Sequence, residues 1–98
     1  MLKDFCEADP ARRQHAPAFE MWFKLARRAR WRNFQDAKST FGQTDVATGY
    51  GGRTATIFDI GDNKYRIVAH VDYTRQTVKI EAVMDHKEYD RGAWKKLF

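Results

Sequence analysis

An α+β fold is the reading this sequence predicts: N-terminal helices packed on a three-stranded antiparallel sheet, with a short C-terminal helix. Apolar residues in the first half recur three and four apart, those after residue 53 alternate, and a helix-capping pattern returns at Asp85. A chain of 98 residues fits one domain, 1–98, since domains take roughly 100–200 residues. Hydrophobic residues at 43% and charged ones at 32%, with six Gly and two Pro, exclude a disordered or collagen-like chain. No apolar run approaches the roughly 20 residues that a bilayer span needs, and Met1-Leu2-Lys3-Asp4 carries no signal-peptide pattern. Cys6 stands alone, so neither an internal disulfide nor a cysteine zinc site is expected, which fits a cytoplasmic protein without cofactor or metal.

The helices come first. Asp9-Pro10 offers an N-cap followed by proline at the first helical position, where a missing N–H costs nothing. Pro17 restarts or kinks that helix. From Phe19, the residues Trp22, Phe23, Ala26 and Ala29 form one apolar stripe, while Lys24, Arg27, Arg28 and Trp31 follow another. Phe34, Ala37 and Phe41 anchor a further short turn before the connecting stretch Gly42 to Arg53, with its Gly-rich loop Gly49-Tyr50-Gly51-Gly52.

Three strands follow: Thr54 to Ile60, Lys64 to Tyr73 and Thr77 to Met84. A two-residue Arg75-Gln76 turn would pair Ile67 with Met84, Ala69 with Ala82, Val71 with Ile80 and Tyr73 with Val78, gathering the apolar partners on one face. The other face would then bring Arg66 beside Asp85 and His70 beside Glu81. A two-residue Asp62-Asn63 turn places Asp59 opposite Arg66 as well. Asp85 and Glu88, three apart, resemble a capping box that opens a last short helix, which Gly92 ends before Trp94. His86, Tyr89 and Asp90 share one side of that helix.

Eighteen Lys and Arg against 13 Asp and Glu leave +5, which favours a polyanionic partner. Residues 24–38 hold six cations, Lys24, Arg27, Arg28, Arg30, Arg32 and Lys38, against Asp36 alone, so the whole excess lies in that window.

The stretch Asn63-Lys64-Tyr65-Arg66-Ile67-Val68, followed by Asp85-His86-Lys87-Glu88-Tyr89-Asp90 and Trp94, resembles the HigB family of type II toxins, relatives of the RelE-like messenger-RNA interferases. Leu2-Lys3-Asp4-Phe5, the Trp22 helix and Trp31-Arg32-Asn33-Phe34 through Lys38 and Phe41 fall in the family's order. Two departures stand out. Asp85 replaces the usual Thr, adding a negative charge, and the chain opens without the family's short first strand, so the sheet is expected to be one strand short. The resemblance implies an endoribonuclease that cuts messenger RNA during translation on the ribosome. It also implies silencing by a HigA-type helix-turn-helix antitoxin in a hetero-oligomer.

Such cleavage needs a base for the 2′-hydroxyl proton, an acid for the leaving 5′-oxygen and cations for the charged transition state. His86 suits proton transfer near neutral pH. Arg66 and Lys64, two apart on one strand, would face the scissile phosphate together, Arg66 with a planar fork and Lys64 as a point charge. Tyr89 would stack on a base or donate a hydrogen bond, and Asp90 would orient His86 or Lys87. Lys24, Arg27, Arg28, Arg30, Arg32 and Lys38, with Lys87, are the expected RNA contacts.

Each role has a plainer counterpart. Arg66 can be an ion-pair hub between Asp59 and Asp85, His86 a capping residue and Tyr89 a half-buried anchor. The basic run can be a solvated helix face with Trp31 in the core, or a surface for an acidic antitoxin. Two other functions compete with the nuclease. One is a non-catalytic RNA- or ribosome-binding translation inhibitor with an attenuated site; the other is a pure protein-interaction subunit.

Overall fold

Side-chain caps set the starts of three of the described helices, those beginning at Pro10, Phe34 and His86. In the computed structural model, which describes residues 2–98, α1 (Leu2–Glu7) leads to α2 (Pro10–Arg13), whose first turn is capped by the Asp9 carboxylate accepting from the Ala11 N–H at 2.7 Å. The main helix, α3 (Ala16–Arg28), carries Pro17 in its first turn and ends where Ala29 becomes extended. Asn33 then caps α4 (Phe34–Thr40), accepting from the Asp36 N–H at 3.0 Å.

The apolar stripe of α3 holds with one exception. Phe19 and Trp22 are buried and Ala26 half-buried, but Phe23 is 48% exposed. At 3.6 residues per turn Phe23 lies about 70° from the centre of the stripe that Phe19, Trp22 and Ala26 define, which puts it at the edge. Trp31 follows the second of its two readings and lies in the core. It does not continue the basic face, because α3 stops first and the extended segment swings the indole inward. Its Nε1 donates to Thr40 Oγ1 at 2.9 Å, and its ring centre lies 5.9 Å from that of Phe58.

The sheet has four strands and not three: β1 (Asp45–Thr48), β2 (Thr54–Ile60), β3 (Tyr65–Asp72) and β4 (Thr77–Asp85), all antiparallel and in that spatial order. The additional strand, β1, lies inside the stretch read as a connection. Its four residues are too few to display alternation, and pairing with β2 (Asp45 opposite Ile57, Thr48 opposite Thr54) creates it. The N-terminal segment, where the resemblance had a short strand in the family and none here, is helical from Leu2 to Glu7.

Between β2 and β3 the register is the expected one, with Asp59 opposite Arg66. Asp62 and Asn63 take φ of 56° and 68°, the left-handed pair that a tight two-residue hairpin turn requires.

The β3–β4 register differs. The loop spans residues 73–76, with Asp72 opposite Thr77. The Asp72 carboxylate accepts from the Arg75 N–H at 3.0 Å, Gln76 has φ of 56°, and its carboxamide donates to Tyr73 O at 2.7 Å and also to Trp31 O. These bonds hold a longer loop than the two-residue turn. Further along, an irregularity between Val68 and Ala69 leaves Glu81 without a partner, so Ile67 pairs with Val83 and Arg66 with Met84. The expected neighbours Arg66–Asp85 and His70–Glu81 therefore do not form: Tyr65 faces Asp85 and Lys79 faces His70.

The sheet is covered on both faces, where one apolar face was expected. Phe58, Ile60, Tyr65, Ile67 and Ala69 pack with Phe19, Trp22 and Trp31 on the helical side. Ala55, Ile57, Val68 and Met84 pack with Trp94 and Phe98 on the other. Strand alternation puts Asp59 and Arg66 on this second face, with Ile57 and Val68. No helix among the described residues is long and apolar enough to cross a membrane.

Candidate functional site

The tight turn at Asp62-Asn63 decides the position of Arg66. It brings Asp59 across the ladder, where Arg66 Nε lies 3.0 Å from the carboxylate, with both side chains less than one-fifth exposed. Arg66 Nη1 donates to Asn63 O at 2.7 Å and to Tyr65 O at 3.1 Å. Of the five guanidinium N–H donors, those on Nε and Nη1 are engaged, and no described contact engages Nη2. Burial pushes the Asp59 carboxyl above its ordinary pKa, outweighing the opposite pull of Arg66, and Asp45 adds to the rise. A half-buried ion pair adds little to stability by itself, and what this one supplies is a fixed position for the guanidinium.

The C-terminal helix, α5 (His86–Arg91), starts as the capping pattern predicts. Asp85 is extended and its carboxylate accepts from the Glu88 N–H at 2.8 Å, while Gly92, with φ of 77°, closes the other end. The His86 N–H donates to Lys64 O at 3.0 Å and ties the start of α5 to the β2–β3 turn. Tyr89 stacks on Trp94 with ring centres 5.3 Å apart and planes 7° apart. The Arg66 guanidinium lies 5.7 Å from the Tyr89 ring centre. Burial, then the charge of Asp45, raises the pKa of the Tyr89 phenol, so it stays protonated at neutral pH.

Arg66 and Tyr89 line an open cleft of about 310 Å³ together with Lys38, Thr44, Asp45 and Asp59. Lys38 is the member of the basic run that reaches it. Lys64 and His86 are joined through their backbones beside the cleft, but their exposed side chains are not part of its lining. Lys64 precedes β3, so the strand alternation that would align it with Arg66 does not apply. Asp90 and Lys87 are exposed on α5. Thr44 and Asp45 were not expected here. Thr44 is buried, with its hydroxyl donating to Phe41 O at 2.6 Å. Both lie in the stretch read as a connection, Thr44 just before β1 and Asp45 at its first position.

The rest of the basic run lies elsewhere. Lys24, Arg27, Arg28 and Arg30 surround a separate hollow with Glu20 and Phe23, where Lys24 sits 3.3 Å from Glu20. Arg32 is held by Asp36, which accepts from its backbone N–H at 2.9 Å and its Nε at 3.2 Å. The backbone bond, followed by the side-chain bond, lowers the pKa of Asp36.

A comparison with curated proteins returns no match. A family model described as the HigB toxin, RelE-like toxic component of a toxin–antitoxin system, matches residues 15–92. The match leaves out α1 and α2 and takes in α3, α4, the whole sheet and α5. With more than three-quarters of its length matched, the chain belongs to the HigB family of RelE-like toxins of toxin–antitoxin systems.

Proposed function

We propose that this toxin is an endoribonuclease that cuts messenger RNA on the ribosome by metal-free acid–base chemistry at the Arg66–Tyr89 cleft. In that reaction the 2′-hydroxyl gives its proton to a base and its oxygen attacks the neighbouring phosphorus. The bond to the 5′-oxygen breaks, and that oxygen takes a proton from an acid, leaving a 2′,3′-cyclic phosphate and a 5′-hydroxyl end. The supporting observation is Arg66 held by Asp59 and two carbonyls with its Nη2 edge unengaged. A fixed cation stabilises developing phosphate charge without reorganising during the reaction. Lys64 supplies a mobile second charge from the rim and His86 the proton transfer. Tyr89 has one partner stacked on its ring already, Trp94, so its protonated hydroxyl is the group offered to RNA. Lys38 contacts phosphate from the cleft wall and Lys87 from α5. Arrest of translation in the cytoplasm follows, relieved by a HigA-type helix-turn-helix antitoxin in a hetero-oligomer.

Sequencing transcript ends after induction tests this. Wild type should create new 5′-hydroxyl ends within translated codons, and Arg66→Ala should reduce them by about 100-fold, the scale of losing one preorganised charge stabiliser. Undiminished cutting by Arg66→Ala would remove the assignment. A second reading, a non-catalytic inhibitor that binds RNA or the ribosome, draws on the two carboxylates, Asp45 and Asp59, that line the cleft and repel phosphate. Growth arrest by wild type without new ends would favour it.

A further inference from the structure

The sheet leaves one long strand unpaired along its outer side. β4 is the edge opposite β1, and its residues Val78 and Ile80 are half-buried beside α3. Between that edge and the helices runs an apolar groove of about 760 Å³, walled by Leu2, Cys6, Phe19, Phe23 and Ile80. Phe23, the residue that left the α3 stripe, also borders a neighbouring depression with Ala26, Arg27, Arg30 and Val78. It borders the basic hollow of Lys24, Arg27, Arg28 and Arg30 as well. One continuous surface thus combines an open backbone edge, an apolar floor and a basic flank.

This surface is separate from the cleft. Val78 and Ile80 pack with the helical-side core, whereas Asp59 and Arg66 lie on the opposite face of the sheet. Its α3 flank is basic: Glu20 is paired with Lys24, and no described salt bridge engages Arg27, Arg28 or Arg30, while at the α1 end of the groove Lys3, Glu7 and Arg13 bring charges of both signs.

We infer that this groove is the docking site for a protein segment in which acidic residues alternate with apolar ones, added as a further strand along β4. Resting on the toxin reading, the segment belongs to the antitoxin that the family implies. An extended segment satisfies the free N–H and C=O groups of the edge, sends alternate apolar side chains onto Phe23 and Ile80, and sets carboxylates against Arg27 and Arg30. RNA fits less well, because it offers no strand ladder to the edge and phosphates gain nothing from an apolar floor. The basic residues of α3 on this account neutralise the partner and leave substrate binding to the cleft.

The test uses the full chain and the protein encoded beside its gene, produced together and separately. Hydrogen exchange in the complex should protect the β4 amides, Thr77 to Asp85, and the 20–28 stretch of α3. Phe23→Ser and the double change Arg27→Glu with Arg30→Glu should each weaken the complex by about tenfold or more, the loss expected of central interface residues. The circular dichroism spectrum and thermal melt should stay that of wild type. Without the partner, both variants should arrest growth like wild type, while co-production should no longer rescue it. Protection confined to the Arg66 cleft, unchanged affinity in both variants, or weakened ribosome binding with unchanged partner affinity would each overturn the inference. So would a wild-type dimer of this chain that either variant dissolves. If wild type causes no arrest, the toxin reading fails by itself, and the exchange and affinity measurements still decide the groove.

Discussion

Asp59 lies 3.0 Å from a guanidinium and still binds its proton more readily than a free carboxyl, because burial outweighs the attraction. Asp36 shows the reverse: exposed enough to avoid a large desolvation cost, it accepts from the Arg32 N–H and its pKa falls. The two have opposite effects on stability. Asp59, raised above 3.8, opposes folding once ionised, and that opposition is relieved as pH falls through its folded value. The contribution of Asp36 is present above the usual aspartate range and is lost as pH falls through its lowered value. Urea-unfolding free energies measured from acid to neutral pH should therefore show a steeper acid loss in Asp59→Asn and a shallower one in Asp36→Asn. Identical slopes in wild type and both variants would contradict these directions. Arg66 itself was legible in the sequence as a central charge, and so was Asp59 as its partner. The carboxylate expected on its other side, Asp85, was not found there, because the longer β3–β4 loop and the unpaired Glu81 shift the register.

Among the elements, α5 depends most on a single side chain. It has six residues, too few to persist as a helix without a cap, and Asp85 supplies one through the Glu88 N–H. Replacing Asp85 by Ala should cost about 1 kcal/mol in urea unfolding and lower RNA cleavage by loosening His86 and Tyr89 together. Asp85→Thr keeps a capping oxygen and removes a charge beside the site. It should remain within about half that stability loss and cleave RNA at least as fast as wild type, and slower cleavage would show that the Asp85 charge has a positive role. The capping pattern could be read directly because it depends on two residues three apart. β1 could not, since a strand of four residues becomes one only when β2 lies beside it.

For the molecule as a whole, the second core holds the cleft side of the sheet in place. Trp94 and Phe98 cover Ile57 and Val68 and carry Tyr89 on the Trp94 ring. The loop after β1 closes on this cluster: the Tyr50 N–H donates to Lys95 O at 2.9 Å and the Arg53 N–H to Phe98 O at 2.9 Å. Gly49 has no room for a side chain, because a Cβ would meet Phe98 Cβ at 2.5 Å and Lys95 O at 2.7 Å. Gly49→Ala should lose about 1–3 kcal/mol in denaturant unfolding, the usual cost of overpacking, and should alter the fluorescence of Trp94. A variant as stable as wild type would mean that this contact relaxes freely.

What depended on neighbours in the chain was determined by the sequence alone. That includes the α+β class, the caps at Asp9 and Asp85, the tight Asp62-Asn63 turn with its Asp59–Arg66 pairing, and the family likeness in the Lys64–Arg66 and Asp85–Asp90 stretches. Tertiary structure decided what depended on contacts between distant segments: the fourth strand, the β3–β4 register, the burial of Trp31 and the exposure of Phe23. It also separated the basic run into Lys38 at the cleft and Arg27 to Arg30 at the groove. Periodicity reports which residues share a face of one element. Which face meets which is settled only when strands and helices compete for the same buried surface.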